Sequence, residues 1–455
     1  MATTNNTSIT PDLIRYMANA RSSAIPPAVL AKAKHHILDT VAAMVSGTTL
    51  KPGIFALRYI EQQGGKPEAQ VVGSRIVTSA INAALANGML AHSDETDDSN
   101  GSAGIHPGAP VISAALAMAE RENASGEDFL RAVILGYDIG CRVTKALGRD
   151  AMRARNHLPF SIGGTLGATA AAGYFARLGE EQIRYLLSYG AQQASGVMTY
   201  PRDTEHIEKA FIFGGMPGRN GVTAATMIQS GFTGCYDVFD GVGNFLVAYA
   251  DSPKPQELTA ELGSRYEVML TNIKKYCVGF PIQSALQALT DLMAAHPLRA
   301  DDIESITARL PESGARTVND REMPDINLQF IFAVYILDGK VTFEAAHSFE
   351  RMNDPRVLAL RKKVTLIGDP ELTRARPEGQ SIVQVTTHDG RRLEKRATTF
   401  KGRSENPLTT DEVHEKAREL LEPVLGASRT QQLMETIDKL ERVGSMRELR
   451  PLLGA

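Results

Sequence analysis

The chain has 455 residues and a formal net charge of −3, with its Lys and Arg spread along its length, so it lacks the basic footprint of a nucleic-acid binder. No uninterrupted apolar run reaches the ~18 residues that a membrane span needs. Three isolated cysteines, Cys141, Cys235 and Cys277, form neither a CxxC pair nor a zinc spacing, which favours a reduced, cytoplasmic setting. A chain of this size buries a large core and divides into more than one domain, and its charge balance fits a small-molecule enzyme. The opening Met1-Ala-Thr-Thr-Asn-Asn-Thr-Ser8 is polar, is expected to fray, and lacks the apolar region of a signal peptide.

Thr10-Pro11-Asp12 reads as an N-cap, a first-turn proline and an acid favoured by the helix dipole. From there to about residue 250 the apolar spacing is helical, in Val29–Val45, Ala80–Leu90, Ala109–Ala119, Phe129–Leu147, Thr165–Leu178 and Asn220–Ser230. Ser125-Gly-Glu-Asp128 starts the fourth of these in the manner of a capping box. Several are rich in Ala and Gly and apolar on most faces, which predicts helices packed closely against other helices in a large bundle.

The texture changes after about residue 265. Glu304–Leu310 alternates with strand period, Lys363–Ile367 is strand-like, and Ile382–Thr387 with Arg391–Arg396 predicts a hairpin on an Asp389-Gly390 turn. Helices are predicted near Ile282–Ala295 and Asn327–Leu337. The tail, about Thr410–Leu453, is helical and charged. The fold class is therefore a large all-α domain, residues 1–265 with 405–455 packing back onto it, and a smaller α+β domain, residues 266–404.

Four segments carry chemistry-bearing residues. In residues 91–110, His92, Asp94, Glu95, Asp97, Asp98 and His106 crowd a polar, glycine-rich stretch between two apolar helices. Acids this close resist burial unless paired, so a site for proton chemistry, a solvated loop with Asp97, Asp98 or Ser99 capping the next helix, and a metal site all remain open. The spacing matches no metal motif, and no metal is expected. His157 precedes Gly163-Gly-Thr-Leu-Gly167, a glycine-rich turn opening a helix or a set of glycines for close packing. Lys209 stands before the run Gly214–Gly221, which holds Arg219, as a carboxylate clamp, an acid or base, or a surface lysine. Lys274-Lys275-Tyr276 lies at the junction of the two textures, where a cleft or a merely solvated pair would both fit. Together they supply carboxylates, imidazoles and cations without a nucleophile motif or nucleotide loop, which suits cofactor-free proton transfer on a polycarboxylic acid.

In this order the four segments resemble the MmgE/PrpD family, over essentially the whole chain. The family's His-x-x-Asp-x-Asp-Asp and following His-Pro look like His92–Asp98 and His106-Pro107, with Glu95 at the first acidic position and Asp94 beside it. Its lysine ahead of Arg-Asn-Gly looks like Lys209 with Arg219-Asn220-Gly221, and its lysine two positions before an aromatic looks like Lys274 with Tyr276. Leu337-Asp338-Gly339 matches a later pattern. Two positions depart: Leu158 precedes Pro159 where the family has a histidine, with His157 one place earlier, and Phe330 stands where the decarboxylases have a tyrosine. The resemblance implies a helical domain with an α+β lid, a site between them, a homodimer, and no metal or organic cofactor. It implies a lyase that dehydrates or hydrates a small di- or tricarboxylic acid, with an epimerase as runner-up and a decarboxylase after that. His106, His157, Asp97, Lys209 and Lys274 would be catalytic. His92, Asp94, Glu95, Asp98, Ser99, Arg219 and Tyr276 would bind substrate.

Overall fold

The computed structural model describes residues 8–454, so the start predicted to fray, Met1–Thr7, lies outside the described residues. Contacts divide the chain into two units. Of the described residues, the first comprises 8–93, Asp97–Asn272 and 410–454. Its core helices are Pro27–Gly47, Ala80–Ala91, Gly108–Arg121, Gly126–Leu147, Pro159–Phe175 and Met216–Gln229. Three of them, Ala80–Ala91, Gly108–Arg121 and Pro159–Phe175, are buried along almost their whole length, which is why their sequences are apolar on every face.

Glycines set the helix spacing. A Cβ on Gly140 would lie 2.8 Å from the Gly163 carbonyl oxygen, and one on Gly136 would lie 2.9 Å from that of Gly167. Gly163 and Gly167 are therefore inside the helix Pro159–Phe175 and face a neighbouring backbone; the turn reading of this segment is corrected to close packing. That helix starts at Pro159 rather than Thr165, because proline fits the first turn, where its missing N–H costs nothing. Ser125 caps as expected, its Oγ accepting the Asp128 N–H at 3.1 Å. Thr10 does not cap; it is already helical, and Asp240 accepts its backbone N–H at 2.9 Å. The all-helical expectation also misses a small antiparallel ribbon of β1 (Ala69–Gln70) and β2 (Val77–Thr78), where Gly73, at φ 67°, takes the left-handed turn conformation. The tail forms Thr410–Leu425 and Ala427–Asp438, and Lys416 of the first makes a buried ion pair with Asp39 at 2.6 Å.

The second unit comprises Asp94–Thr96 and Ile273–Thr409. Its sheet contains β3 (Ile303–Pro311), β4 (Val364–Asp369), β5 (Ser381–Thr387) and β6 (Arg392–Ala397) in the order β4-β3-β5-β6. β3 pairs parallel with β4 and antiparallel with β5, and β5 pairs antiparallel with β6. Gly390, at φ 85°, supplies the predicted hairpin turn. The helices Phe280–Ala295 and Leu328–Asp338 share a core with the strands, through Ile282, Leu286, Phe330 and Phe332 against Ile306, Leu310, Val383 and Val385. Gly339, left-handed at φ 73°, closes the second helix, which explains the Leu337-Asp338-Gly339 pattern. Among the described residues no helix is long and apolar enough to cross a membrane.

Candidate active site

The acids at positions 94, 95, 97 and 98 are 3%, 7%, 0% and 0% exposed, so the solvated-loop reading is corrected. Leaving a carboxylate unpaired in such surroundings would cost several kcal/mol. Each of the four has its own partners.

In the first unit, the apolar helix Ala80–Ala91 ends at His92, and His106-Pro107 leads into Gly108–Arg121. Asp97 lies between the two imidazoles: Oδ2 is 2.9 Å from His92 Nδ1 and Oδ1 is 2.9 Å from His106 Nδ1. A carboxylate only accepts, so both rings carry their proton on Nδ1 and leave Nε2 for other work. His92 Nε2 is buried without a hydrogen-bond partner. Burial pulls the His92 pKa down, Asp97 opposes this, and Lys209 and His106 add to it. The His106 side chain keeps 10% exposure, which gives it access to protons.

Asp98 does two jobs. Its Oδ1 accepts the Gly108 N–H at 2.9 Å, capping the helix from a distance, as one sequence reading proposed. Its Oδ2 lies 2.7 Å from His36 Nδ1 and accepts the Tyr137 hydroxyl at 2.6 Å. Burial pushes the His36 pKa down to about 4, with Lys32 next in effect, so this imidazole is neutral near pH 7.

An aromatic wall backs the pair. Phe213 stacks on His92 at 4.6 Å between centroids and 11° between planes, and Phe160 lies 5.3 Å from the His106 ring. His206, in the left-handed conformation at φ 62°, has its ring 5.1 Å from that of His92. Lys209 is half-buried rather than a solvated surface lysine, with Nζ 5.2 Å from the Phe213 centroid and 5.6 Å from that of Tyr200. Phe213 belongs to a π-helical turn, Phe211–Gly215, and Gly214 and Gly88 let two backbones meet there.

The second unit holds another charged group. Asp94 Oδ1 accepts the Thr96 N–H at 3.0 Å, and Oδ2 forms an ion pair with His347 Nε2 at 2.8 Å. Lys274, 1% exposed, donates to the Glu95 carbonyl oxygen at 2.7 Å and lies 3.6 Å from Glu95 Oε2. The solvated-lysine reading of this position is thereby overturned.

Other predicted residues have partners of their own. His157 is half-buried against Tyr249, with centroids 5.0 Å apart, and Phe160 is the member of its segment that reaches His106. Arg219 bonds Asn220 Oδ1 and covers the Phe211 ring. Ser99 pairs its backbone with Asn272. Tyr276 packs on the second unit's core with Lys275 5.2 Å from its ring centre. Sequence reasoning missed His36, His206, Phe213, His347 and Tyr137, single residues on helices and turns far from the acidic segment. His92, Asp97 and His106 each bring one ligand atom to within 4.8 Å of the others and so can hold a metal ion, although the Nδ1 contacts seen have ordinary hydrogen-bond lengths.

Helical packing around a buried imidazole–carboxylate pair, with a separate mixed-sheet unit, defines a class of two-unit α-rich proteins. The N-terminal domain of the MmgE/PrpD family matches residues 11–258 and its C-terminal domain matches residues 276–442, so the chain belongs to the MmgE/PrpD family. It is 26% identical to the cis-aconitate decarboxylase-like protein oryM of Aspergillus oryzae, over 98% of this chain and 97% of that protein. It is also 26% identical to cis-aconitate decarboxylase of Homo sapiens, over 93% of this chain and 90% of that protein. The 2-methylcitrate dehydratase-like protein oryR of Aspergillus oryzae is 30% identical over 35% of each chain.

Proposed function

We propose that this protein is a lyase acting on a small di- or tricarboxylic acid by proton transfer next to a carboxylate, with loss or addition of water as its reaction. The observation that carries this reading is Asp97 shared by His92 and His106, both Nδ1 atoms 2.9 Å from its oxygens. An imidazole held in one tautomer by a buried carboxylate can serve as a general acid or base through its other nitrogen. His106, the more exposed of the two, takes or returns the proton through Nε2. Lys209 offers a cation for a substrate carboxylate. The family resemblance makes Lys274, a buried ammonium of the second unit, a further catalytic candidate.

Decarboxylation is the second reading, favoured by the names of the relatives that match the full length. Phe330 weighs against it, because this fully buried phenyl ring has no proton to give. Epimerisation shares the first proton transfer and remains a third outcome. Incubating the protein with citrate-, aconitate- and succinate-like acids in deuterated water, followed by NMR, separates the three. Interconversion of a hydroxy acid and an alkene supports the proposal. Loss of a carboxyl carbon would replace it with decarboxylation, and deuterium exchange without loss of water would replace it with epimerisation.

A further inference from the structure

The His347 imidazole lies within the second unit between two acceptors. Its Nδ1 is 2.7 Å from the Phe343 carbonyl oxygen, one helical turn back. Its Nε2 is 2.8 Å from Asp94 Oδ2, with Asp325 Oδ2 at 3.9 Å. The carbonyl takes a proton on Nδ1, and the two carboxylates beside Nε2 favour a second proton there through their charge, although Nε2 is not aligned for a hydrogen bond to either. The ring is an imidazolium, and with 11% exposure of its side chain and 4% for Asp94 the pair is shielded from solvent. Asp94 passes the constraint along the chain. It also takes the Thr96 N–H at 3.0 Å and is hydrogen-bonded by the Thr96 hydroxyl, closing the short Asp94–Thr96 segment on itself. Glu95, in the middle of that closed segment, receives the Lys274 ammonium on its carbonyl oxygen at 2.7 Å.

We infer that His347 is a positioning residue: by holding Asp94 it fixes the backbone of Asp94–Thr96, so that the Glu95 carbonyl and carboxylate hold Lys274 in one orientation. His347 stands far along the chain from the acidic segment and belongs to none of the motifs that point to the site. The pair costs desolvation of two charges, which only good geometry offsets; besides what it adds to stability, it returns a fixed ammonium. The part of the inference that concerns turnover rests on the function proposed above, whereas the part that concerns Lys274 does not.

The test compares wild type with His347→Gln, Asp94→Asn and the double variant. Amine labelling by acetic anhydride, read by mass spectrometry, reports Lys274 directly. Buried Lys416, paired with Asp39 in the first unit, serves as the control for unfolding. Labelling of Lys274 should rise on the order of tenfold in each variant, as local opening predicts, while Lys416 stays protected. With whichever polycarboxylate the wild type turns over, kcat should fall about 10- to 100-fold, and the double variant should be no worse than the poorer single one. His347→Lys, which keeps the cation, should recover part of the loss. Unchanged Lys274 labelling with Lys416 intact would overturn the inference, as would additive losses in the double variant. If no acid turns over, the function proposed above fails, and the labelling result still decides the role of His347.

Discussion

His106 Nδ1 lies 2.9 Å from Asp97 Oδ1, and the opposite oxygen of the same carboxylate is 2.9 Å from His92 Nδ1. One buried acid thus orients two imidazoles. That arrangement determines what each substitution in the segment should do.

Asp97→Asn keeps the shape but offers one acceptor and one donor, so one imidazole must turn or change tautomer. Turnover should drop by about 10²-fold or more. Steady-state kinetics on the acid identified by NMR checks this, and a rate within a factor of two of wild type would remove Asp97 from the mechanism.

His106→Ala and Lys209→Ala should each lower turnover by about 10²-fold or more while the far-ultraviolet circular dichroism stays unchanged. The two should differ in how they fail. Loss of the acid/base group lowers kcat, whereas loss of a carboxylate-binding cation also raises KM.

Gly214→Ala tests the aromatic wall. A Cβ there would lie 2.0 Å from the Gly88 carbonyl oxygen, so the π-helical turn must shift and take Phe213 off His92. Urea denaturation should report a loss of about 1–3 kcal/mol, as overpacking does elsewhere.

The pH dependence of stability should carry a signature of His347. Burial lowers its pKa, but the contact and charge of Asp94, with Asp325, more than reverse this and raise it from 6.5 to about 9. A raised pKa means stability fully present below about 6.5 and lost as the pH rises through about 9. The melting temperature of wild type should therefore exceed that of His347→Gln near pH 6, and the two should converge above pH 9. A gap that stays constant across this range would show that the pair is not an ion pair.

Bound ligand should raise the melting temperature. At a hundred times its dissociation constant a polycarboxylate stabilises by ~2.7 kcal/mol, which differential scanning fluorimetry resolves. No shift with any member of the acid panel would leave the catalytic reading without support.

The positions of the main helices and of the β5–β6 hairpin were legible in the sequence, because apolar period and an Asp-Gly turn are local signals. The burial of whole helices was legible too, in the Ala and Gly that let Gly136 and Gly140 approach Gly163 and Gly167. The acidic segment announced itself as chemically unusual, and Lys209 and Lys274 could be set beside it through the family's motifs. What remained open was whether those acids faced water, a metal or a partner. Partners come from distant parts of the chain: His36 and Tyr137 for Asp98, His347 for Asp94, Asp240 for the first helix. No local pattern encodes such pairings, since a carboxylate is satisfied by any donor that folding brings within reach. The sequence by itself determined that charge would be concentrated at residues 92–106. Only the tertiary structure decided that every one of those charges is buried and matched, and that a single aspartate orients two histidines.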